Sequence, residues 1–431
     1  MKRLLFLLLL VSQIAYGQEV TTYGGKAVTY GGKVVTYAYC PEYQAVYDAY
    51  TTKPSDAVAA IDNTMVAGLV SDGVWAKLDV IWVYASHTNG AGEALLDWKQ
   101  PAGGSSLMDA GAGTFDSGIY SWTAYAPSTL ENDNGALKVT QVDPGSRGGY
   151  CYLNAVGDLA ANLTVGGQYR IRFKAKVNTG SVRIQVTSGV INNLDFTETD
   201  YTWKEVIFIC TNATTHSVSI REMGAGEIIW IDEWTIQEWT NATAYNAPTF
   251  TALEGFTGNG TTQYIDCNWN PSVSGVNYTQ NSASMIMYVR TNIGGNGTQL
   301  HGTYGNVDNK NCLIIPKVTG NLAYIVTNEN TPISGTNADG SGMFVNTRTA
   351  VAVNKLYRNK TAIINGTTAS TGVPTHKPYC LAYNDDDVAA GFRADQVSLY
   401  AFGSGLTQTD VNNITDRFET RMDALSSGII P

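Results

Sequence analysis

The chain has 431 residues, of which 44% are hydrophobic, so wholesale disorder is excluded and two or three domains of ~100–200 residues are expected. Its net charge of −10 argues against a general nucleic-acid binder, which needs a cationic surface for phosphates. Charged residues make up only 15%, and 44 Gly, 25 Tyr and many Asn and Thr take their place, a mixture of turn and strand formers that predicts an all-β protein.

The N-terminus combines Lys2 and Arg3 with an apolar run from Leu4 to Val11, a break at Ser12-Gln13, and small residues in Ala15-Tyr16-Gly17. This is the build of a secretory signal peptide (1–17) cleaved before Gln18, and the run is too short for a permanent membrane anchor. No Cys follows the cleavage point, which argues against a lipidated N-terminus. The mature protein is expected outside the cell, with no transmembrane segment. Its six cysteines are an even number, yet they are spread too widely for a disulfide scaffold. Most are read as buried free thiols, and Cys151 with Cys210 is the one bridge considered.

Residues 18–45 form a lead segment in which a seven-residue Thr-Tyr-Gly-Gly-Lys repeat places Tyr23, Tyr30 and Tyr37 in register. Each copy can be a short strand with a tight Gly-Gly turn, suited to a stalk contact or an oligomer seam. The segment 46–101 contains a helix capped by Ser55, with Val58, Ile61, Met65 and Leu69 recurring at helical spacing and Gly73 past its end. Trp75 to Tyr84 then reads as an apolar strand, and Leu-Leu-Asp-Trp-Lys-Gln-Pro closes the segment.

From Thr114 to Glu238 short strands follow one another. In Tyr169–Val177 the apolar residues alternate with Arg170, Arg172, Lys174 and Lys176, so one face is buried and the other cationic. Val206, Phe208 and Cys210 repeat the alternation. The runs TFDSGIYSW (114–122), GALKVT, GGQYRIRFKAKV, YTWKEVIFICTN and IIWIDEWTI occur in that order. Together they resemble the galactose-binding-like jelly-roll modules appended to many cellulases and xylanases, and set a module at 102–240. Sugar rings need aromatic faces, and this stretch supplies Trp122, Tyr125, Tyr150 and Tyr152 as candidate glycan contacts, Tyr125 lying on a loop, whereas Trp203 takes a position that is mostly core in similar modules. The resemblance implies a structural calcium shared by Asp116 and Asp232, whose oxygens suit that hard ion. The cationic row either favours an acidic glycan or is a solvated outer face.

The last part, 245–431, resembles laminin-G-like, concanavalin-A-like sandwiches. FTGNGTTQYIDCN (256–268) is similar to their opening strand and FRADQVSLYAFGSGLT (392–407) to their closing one. A terminal helix follows, with Thr407 and Asp410 as a capping box and Val411, Ile414, Phe418, Met422 and Leu425 as its buried stripe. The order of parts resembles phage appendage proteins, with 46–101 packing on the C-terminal sandwich and the middle module inserted between them.

Catalytic signatures are missing. Glu222/Glu227 and Asp232/Glu233 lack the spacing that sets two carboxylates about 5.5 Å apart on one strand face for glycoside hydrolysis. No zinc motif, nucleophile elbow or phosphate loop occurs, and no organic cofactor is implied. Asn384-Asp385-Asp386-Asp387 is a solvated loop tip or a second calcium site. The chain is therefore expected to be all-β, two jelly-roll sandwiches with a few peripheral helices. Its expected role is that of a secreted, non-catalytic protein binding a polysaccharide or cell-surface glycan. A virion appendage that binds host glycans is the alternative, and a glycoside hydrolase with an unrecognised site the weaker one. Whether it forms an oligomer stays open.

Overall fold

The computed structural model describes residues 23–30, 33–37, 39–101, 107–108, 113–116, 118–125, 128–142, 150–154, 163–187, 191–212, 217–221, 223–305 and 309–430. The leader therefore lies outside the described residues. The chain is all-β, with two β-sandwiches and, among the described residues, four α-helices. None of these helices is long and apolar enough to cross a membrane. The Tyr-Gly-Gly-Lys repeat forms a hairpin in which Tyr23–Tyr30 pairs antiparallel with Lys33–Tyr37.

Helix Pro41–Ala49 follows and runs across residue 45, the expected end of the lead segment. Its Tyr43 and Val46 are buried, which anchors the chain from Pro41 onward. The helix expected next spans Asp56–Ser71, and Ser55 accepts a bond from the Val58 N–H as its cap. Its buried face is rotated slightly from the apolar stripe: Ala59, Asp62, Val66 and Leu69 point inward while Val58 and Ile61 are half-buried. On that inward face Asp62 accepts from Arg421 Nε at 2.7 Å.

Trp75–Lys77 forms a short 3-10 turn rather than strand, and the strand proper is Leu78–Trp82. That strand pairs antiparallel with Gln396–Gly403, Tyr400 opposite Trp82, and so belongs to the larger sheet of the C-terminal sandwich. Along this sheet the order is Thr249–Thr251, Gly255–Thr257, Gln396–Gly403, Ala283–Val289, Gly342–Ala350, Val353–Arg358 and Thr361–Gly366. Every residue of Ala283–Val289 is buried because both faces of the sheet are covered. Met285, Met287 and Val289 meet the opposing six-stranded sheet, whose Cys312, Ile314 and Ile325 share their cluster. Ile286 and Tyr288 face the helices, among Val66, Leu69, Ile414 and Phe418. The terminal helix Gln408–Ala424 has the expected capping box and buries Val411, Ile414, Phe418 and Met422, with Leu425 half-buried just past its end.

The middle sandwich consists of two five-stranded antiparallel sheets. One has the order Ile191–Phe196, Val182–Thr187, Ser217–Arg221, Tyr150–Asn154 and Thr123–Tyr125. The other runs Thr202–Ile209, Gln168–Val177, Ile228–Glu238, Ala136–Gln141 and Ser128–Asp133. Inward residues alternate as the strand period requires: Ile171, Phe173, Ala175 and Val177 meet Ile184, Val186, Cys151 and Ile220 in one core. Cys151 and Cys210 are both free thiols, like the other four cysteines, so the bridge considered between them is not formed. They act as small core hydrophobes.

The two sandwiches meet at a narrow neck. Ala242 N–H donates to the Leu95 carbonyl at 2.8 Å, and Asp97 N–H to Asn241 Oδ1 at 2.8 Å. The chain therefore leaves and re-enters the C-terminal sandwich at adjacent points.

Candidate functional site

The outer face of the sheet Ile191–Phe196 to Thr123–Tyr125 is built by alternation. Cys151, Leu153, Ile184, Val186, Val218 and Ile220 turn inward, so the residues between them turn out. Register then places Thr123, Tyr152, Ser219, Gln185 and Asn193 in one row across the sheet. Gln185 Nε2 donates to Asn193 Oδ1 at 3.2 Å, and Arg221 Nε donates to the Ser219 hydroxyl at 3.1 Å. Ser219 is buried beneath that guanidinium, while Tyr152, Gln185 and Asn193 reach solvent. Beside the row, Arg183 grips Asp195 with two bonds of 2.6 and 2.8 Å. The pair holds Asp195 below the usual carboxylate range through the arginine's hydrogen bonds. The face thus offers amide and hydroxyl groups and a tyrosine, beside the Arg183–Asp195 ion pair and the Arg221 guanidinium.

The expected site residues are distributed unevenly over this frame. Tyr152 lies in the row. Tyr125 ends a strand rather than lying on a loop, and its register partner is Tyr150. The side chains of Tyr125 and Tyr150 lie outside the described residues. Trp122 is a correction: it is 3% exposed and packs edge-on against Trp234, with ring centres 5.2 Å apart. A ring enclosed in this way has no face left for a pyranose. Trp203 is the opposite correction, because it is 44% exposed on the outer face of the other sheet. Its strand already signalled this: Val206, Phe208 and Cys210 point inward, so odd-numbered positions of Thr202–Ile209 point out.

Asp232 lies within electrostatic reach of Asp116. Burial raises the Asp232 carboxyl above its ordinary range, and the charges of Glu233 and Asp116 add to the effect. The Glu233 N–H donates to Asp232 at 2.7 Å, and the Thr114 hydroxyl donates to Asp116 at 2.7 Å. Glu233 adopts a left-handed φ of 51°, within a register shift between Asp232 and Thr235, while Asp232 itself stays paired with Lys174. Among the described residues no group of three His, Cys, Asp or Glu side chains converges on a metal-sized site. The pair supplies two carboxylates, and a calcium shell of six to eight oxygens would need backbone carbonyls and water besides.

One acid–base pair escaped sequence inspection. His301 Nε2 lies 3.0 Å from Asp395, and its Nδ1 accepts the Leu381 N–H at 3.0 Å. Nδ1 therefore carries no proton and the ring is neutral, in line with burial pushing its pKa down. Burial works against the Asp395 carboxylate, but Arg393 and His301 outweigh it and hold it below the usual range. Both side chains are at most 1% exposed, which makes the pair a structural tie rather than a proton-transfer site. Asn384–Asp387 is the tip of a hairpin, with Asp386 and Asp387 at positive φ and His376 Nδ1 3.1 Å from Asp387.

No protein-family model and no curated protein matches the chain. Among solved structures it is similar to the N-terminal cellulose-binding domain of β-1,4-glucanase C from Cellulomonas fimi. Identity there is 18% over 31% of this chain and 97% of that one, with a TM-score of 0.25. A xylan-binding domain from Paenibacillus barcinonensis is matched at 12% identity, 32% and 96% coverage and a TM-score of 0.26. A family 16 carbohydrate-binding module is matched at 18% identity, 31% and 99% coverage and a TM-score of 0.24.

Proposed function

We propose that this chain is a secreted, non-catalytic carbohydrate-binding protein whose middle sandwich holds a neutral glycan on its amide- and hydroxyl-bearing sheet face. The observation that supports the reading is the row Thr123, Tyr152, Gln185 and Asn193, which crosses the sheet in one register line. Sugars present hydroxyl groups that need both donors and acceptors, and amides supply both from one side chain. They also present C–H faces, which favour an aromatic neighbour such as Tyr152. On this face Arg183 and Asp195 neutralise one another as an ion pair.

Calcium, if bound, takes Asp116 and Asp232 as ligands and acts structurally, fastening the opening segment to the bulge at Asp232–Thr235. Export rests on the N-terminal leader, and N-terminal sequencing of exported protein should begin at Gln18. The binding test is affinity electrophoresis of the mature chain in gels containing xylan, β-glucan or hydroxyethyl cellulose. Retardation by at least one, weakened in Tyr152→Ala and Gln185→Ala with unchanged melting, is the expected result. Migration unaffected by every neutral polysaccharide would refute the reading, as would release of reducing sugar from any of them.

A further inference from the structure

The second sheet of the middle sandwich ends in an edge strand that lacks the usual guards. Thr202–Ile209 pairs with Gln168–Val177 without a bulge, and among the described residues no strand pairs with its other side. It contains neither Pro nor Gly. Alternation points Val206 and Phe208 into the core and turns Trp203, Glu205, Ile207 and Ile209 outward. Trp203 is 44% exposed, Ile207 and Ile209 are each 42%, and Tyr201 just before the strand is 43%. The one inward charge, Lys204, is tied to Glu198.

The other edges of this sandwich are short or polar. Ser128–Asp133, at the far side of the same sheet, turns Thr129, Glu131 and Asp133 outward, and Ile191–Phe196 turns out Asn193 and Asp195. Thr123–Tyr125 has only three residues. A long apolar edge presents a row of N–H and C=O groups that another strand can pair with. Charge does not oppose a like copy, because Arg170, Arg172, Lys174 and Lys176 are balanced on this face by Glu205, Glu233, Asp133 and Asp232.

We infer that this edge is a homodimer interface, in which Thr202–Ile209 pairs antiparallel with the same strand of a second copy about a two-fold axis through Glu205. Such an interface uses one self-complementary patch on both copies. With the axis at Glu205, Trp203 stands opposite Ile207 of the second copy and Tyr201 opposite Ile209, on both sides of the axis. Moving the axis one residue either way sets Glu205 opposite Trp203 or Ile207. The two Glu205 carboxylates meet at the axis, each with the Arg170 guanidinium of its own chain 3.6 Å away. The Ile209 end lies toward the neck, since its register partner Gln168 accepts the Trp239 N–H. Antiparallel pairing therefore sends the two C-terminal sandwiches to opposite ends. An axis perpendicular to the sheet also turns the amide-bearing faces of both copies the same way, so that two glycan sites would act together. That consequence rests on the proposed glycan reading; the dimer itself does not.

Sedimentation equilibrium of the mature chain across the micromolar range should show a monomer–dimer equilibrium. Ile207→Lys should weaken it at least about tenfold, because two apolar cross-strand pairs are lost per dimer. Thr129→Lys on the opposite edge of the sheet should leave it unchanged. Both positions are exposed, so far-UV circular dichroism of the variants should match the wild type. Cross-linking tests the register without altering an apolar pair. Under mild oxidation Glu205→Cys should give a disulfide-linked dimer, because directly opposite Cβ atoms lie ~5 Å apart. Trp203→Cys should not, because the two copies of that position stand four residues apart along the strands, or ~13 Å. A wild-type chain that stays monomeric, a dimer indifferent to Ile207→Lys, or cross-linking at 203 in preference to 205 would each overturn the inference. No polysaccharide enters these measurements, so their failure and that of the glycan reading are distinguishable.

Discussion

The neck between the sandwiches contains a carboxyl whose ionisation should set how stability varies with pH. Asp97 is fully buried; one oxygen accepts the N–H groups of Ile81 and Lys99, each at 3.0 Å, and the other accepts the Thr240 hydroxyl at 2.7 Å. Burial pushes its pKa up to about 7 from 3.8, and these hydrogen bonds with the Lys99 charge only partly offset the shift. Because the folded value lies above the unfolded one, the stabilisation is complete below pH about 4. It is lost as pH rises through 7. A shift of about three units at ~1.36 kcal/mol each amounts to roughly 4 kcal/mol.

Asp97→Asn keeps an oxygen for Ile81 and Lys99, and its amide can donate to Thr240, whose hydroxyl rotates to accept. The variant cannot ionise. Urea unfolding of both proteins at pH 4, 6 and 8, read on the transition of the C-terminal sandwich, isolates the effect as a difference. The stability of the variant relative to wild type should rise by about 4 kcal/mol from pH 4 to pH 8. A difference that stays constant, or that falls with pH, would refute the assignment of Asp97 as a buried carboxyl whose charged form is penalised by desolvation.

Three further outcomes are expected. Trp122→Ala should destabilise the middle sandwich by about 3–5 kcal/mol, as removal of a buried aromatic does; an unchanged urea midpoint would return Trp122 to the ligand surface. Replacing 102–238 by a short linker should leave the flanking sandwich with a single cooperative melt, because Leu95 and Ala242 are already hydrogen-bonded neighbours. Failure of the shortened chain to fold would show that the middle sandwich is an integral part of its host. Millimolar calcium should raise the melting temperature of the middle sandwich by mass action on the folded state, and Asp116→Ala or Asp232→Ala should remove that gain. Identical melting with calcium and with EDTA would exclude the ion.

Features that depend on near neighbours in the chain were legible in the sequence. The alternation of Gln168–Val177 identifies a half-buried strand because side chains of a strand point to opposite faces in turn. Ser55 and the Thr407–Asp410 box mark helix starts because a cap is satisfied within one turn. Helix Pro41–Ala49 escaped because its stability comes from Tyr43 and Val46 docking on distant elements, not from a strong local pattern. The same alternation places Trp203 outside, against its resemblance to core tryptophans, because Val206 and Phe208 of its strand point inward.

Long-range pairing decided the rest. Leu78–Trp82 is apolar in any context, but only its register with Gln396–Gly403 makes it part of the C-terminal sandwich. Trp122 and Trp203 are the same residue type, yet packing encloses one against Trp234 and leaves the other under Arg172 at the surface. His301 and Asp395 stand 94 positions apart and become partners only when their strands meet. The row Thr123, Tyr152, Gln185 and Asn193 comes from four separate strands. A linear sequence specifies period and capping through local sterics and hydrogen bonds. Register across a sheet is set by the burial of whole faces at once, so the groups that share a site are chosen by the tertiary fold.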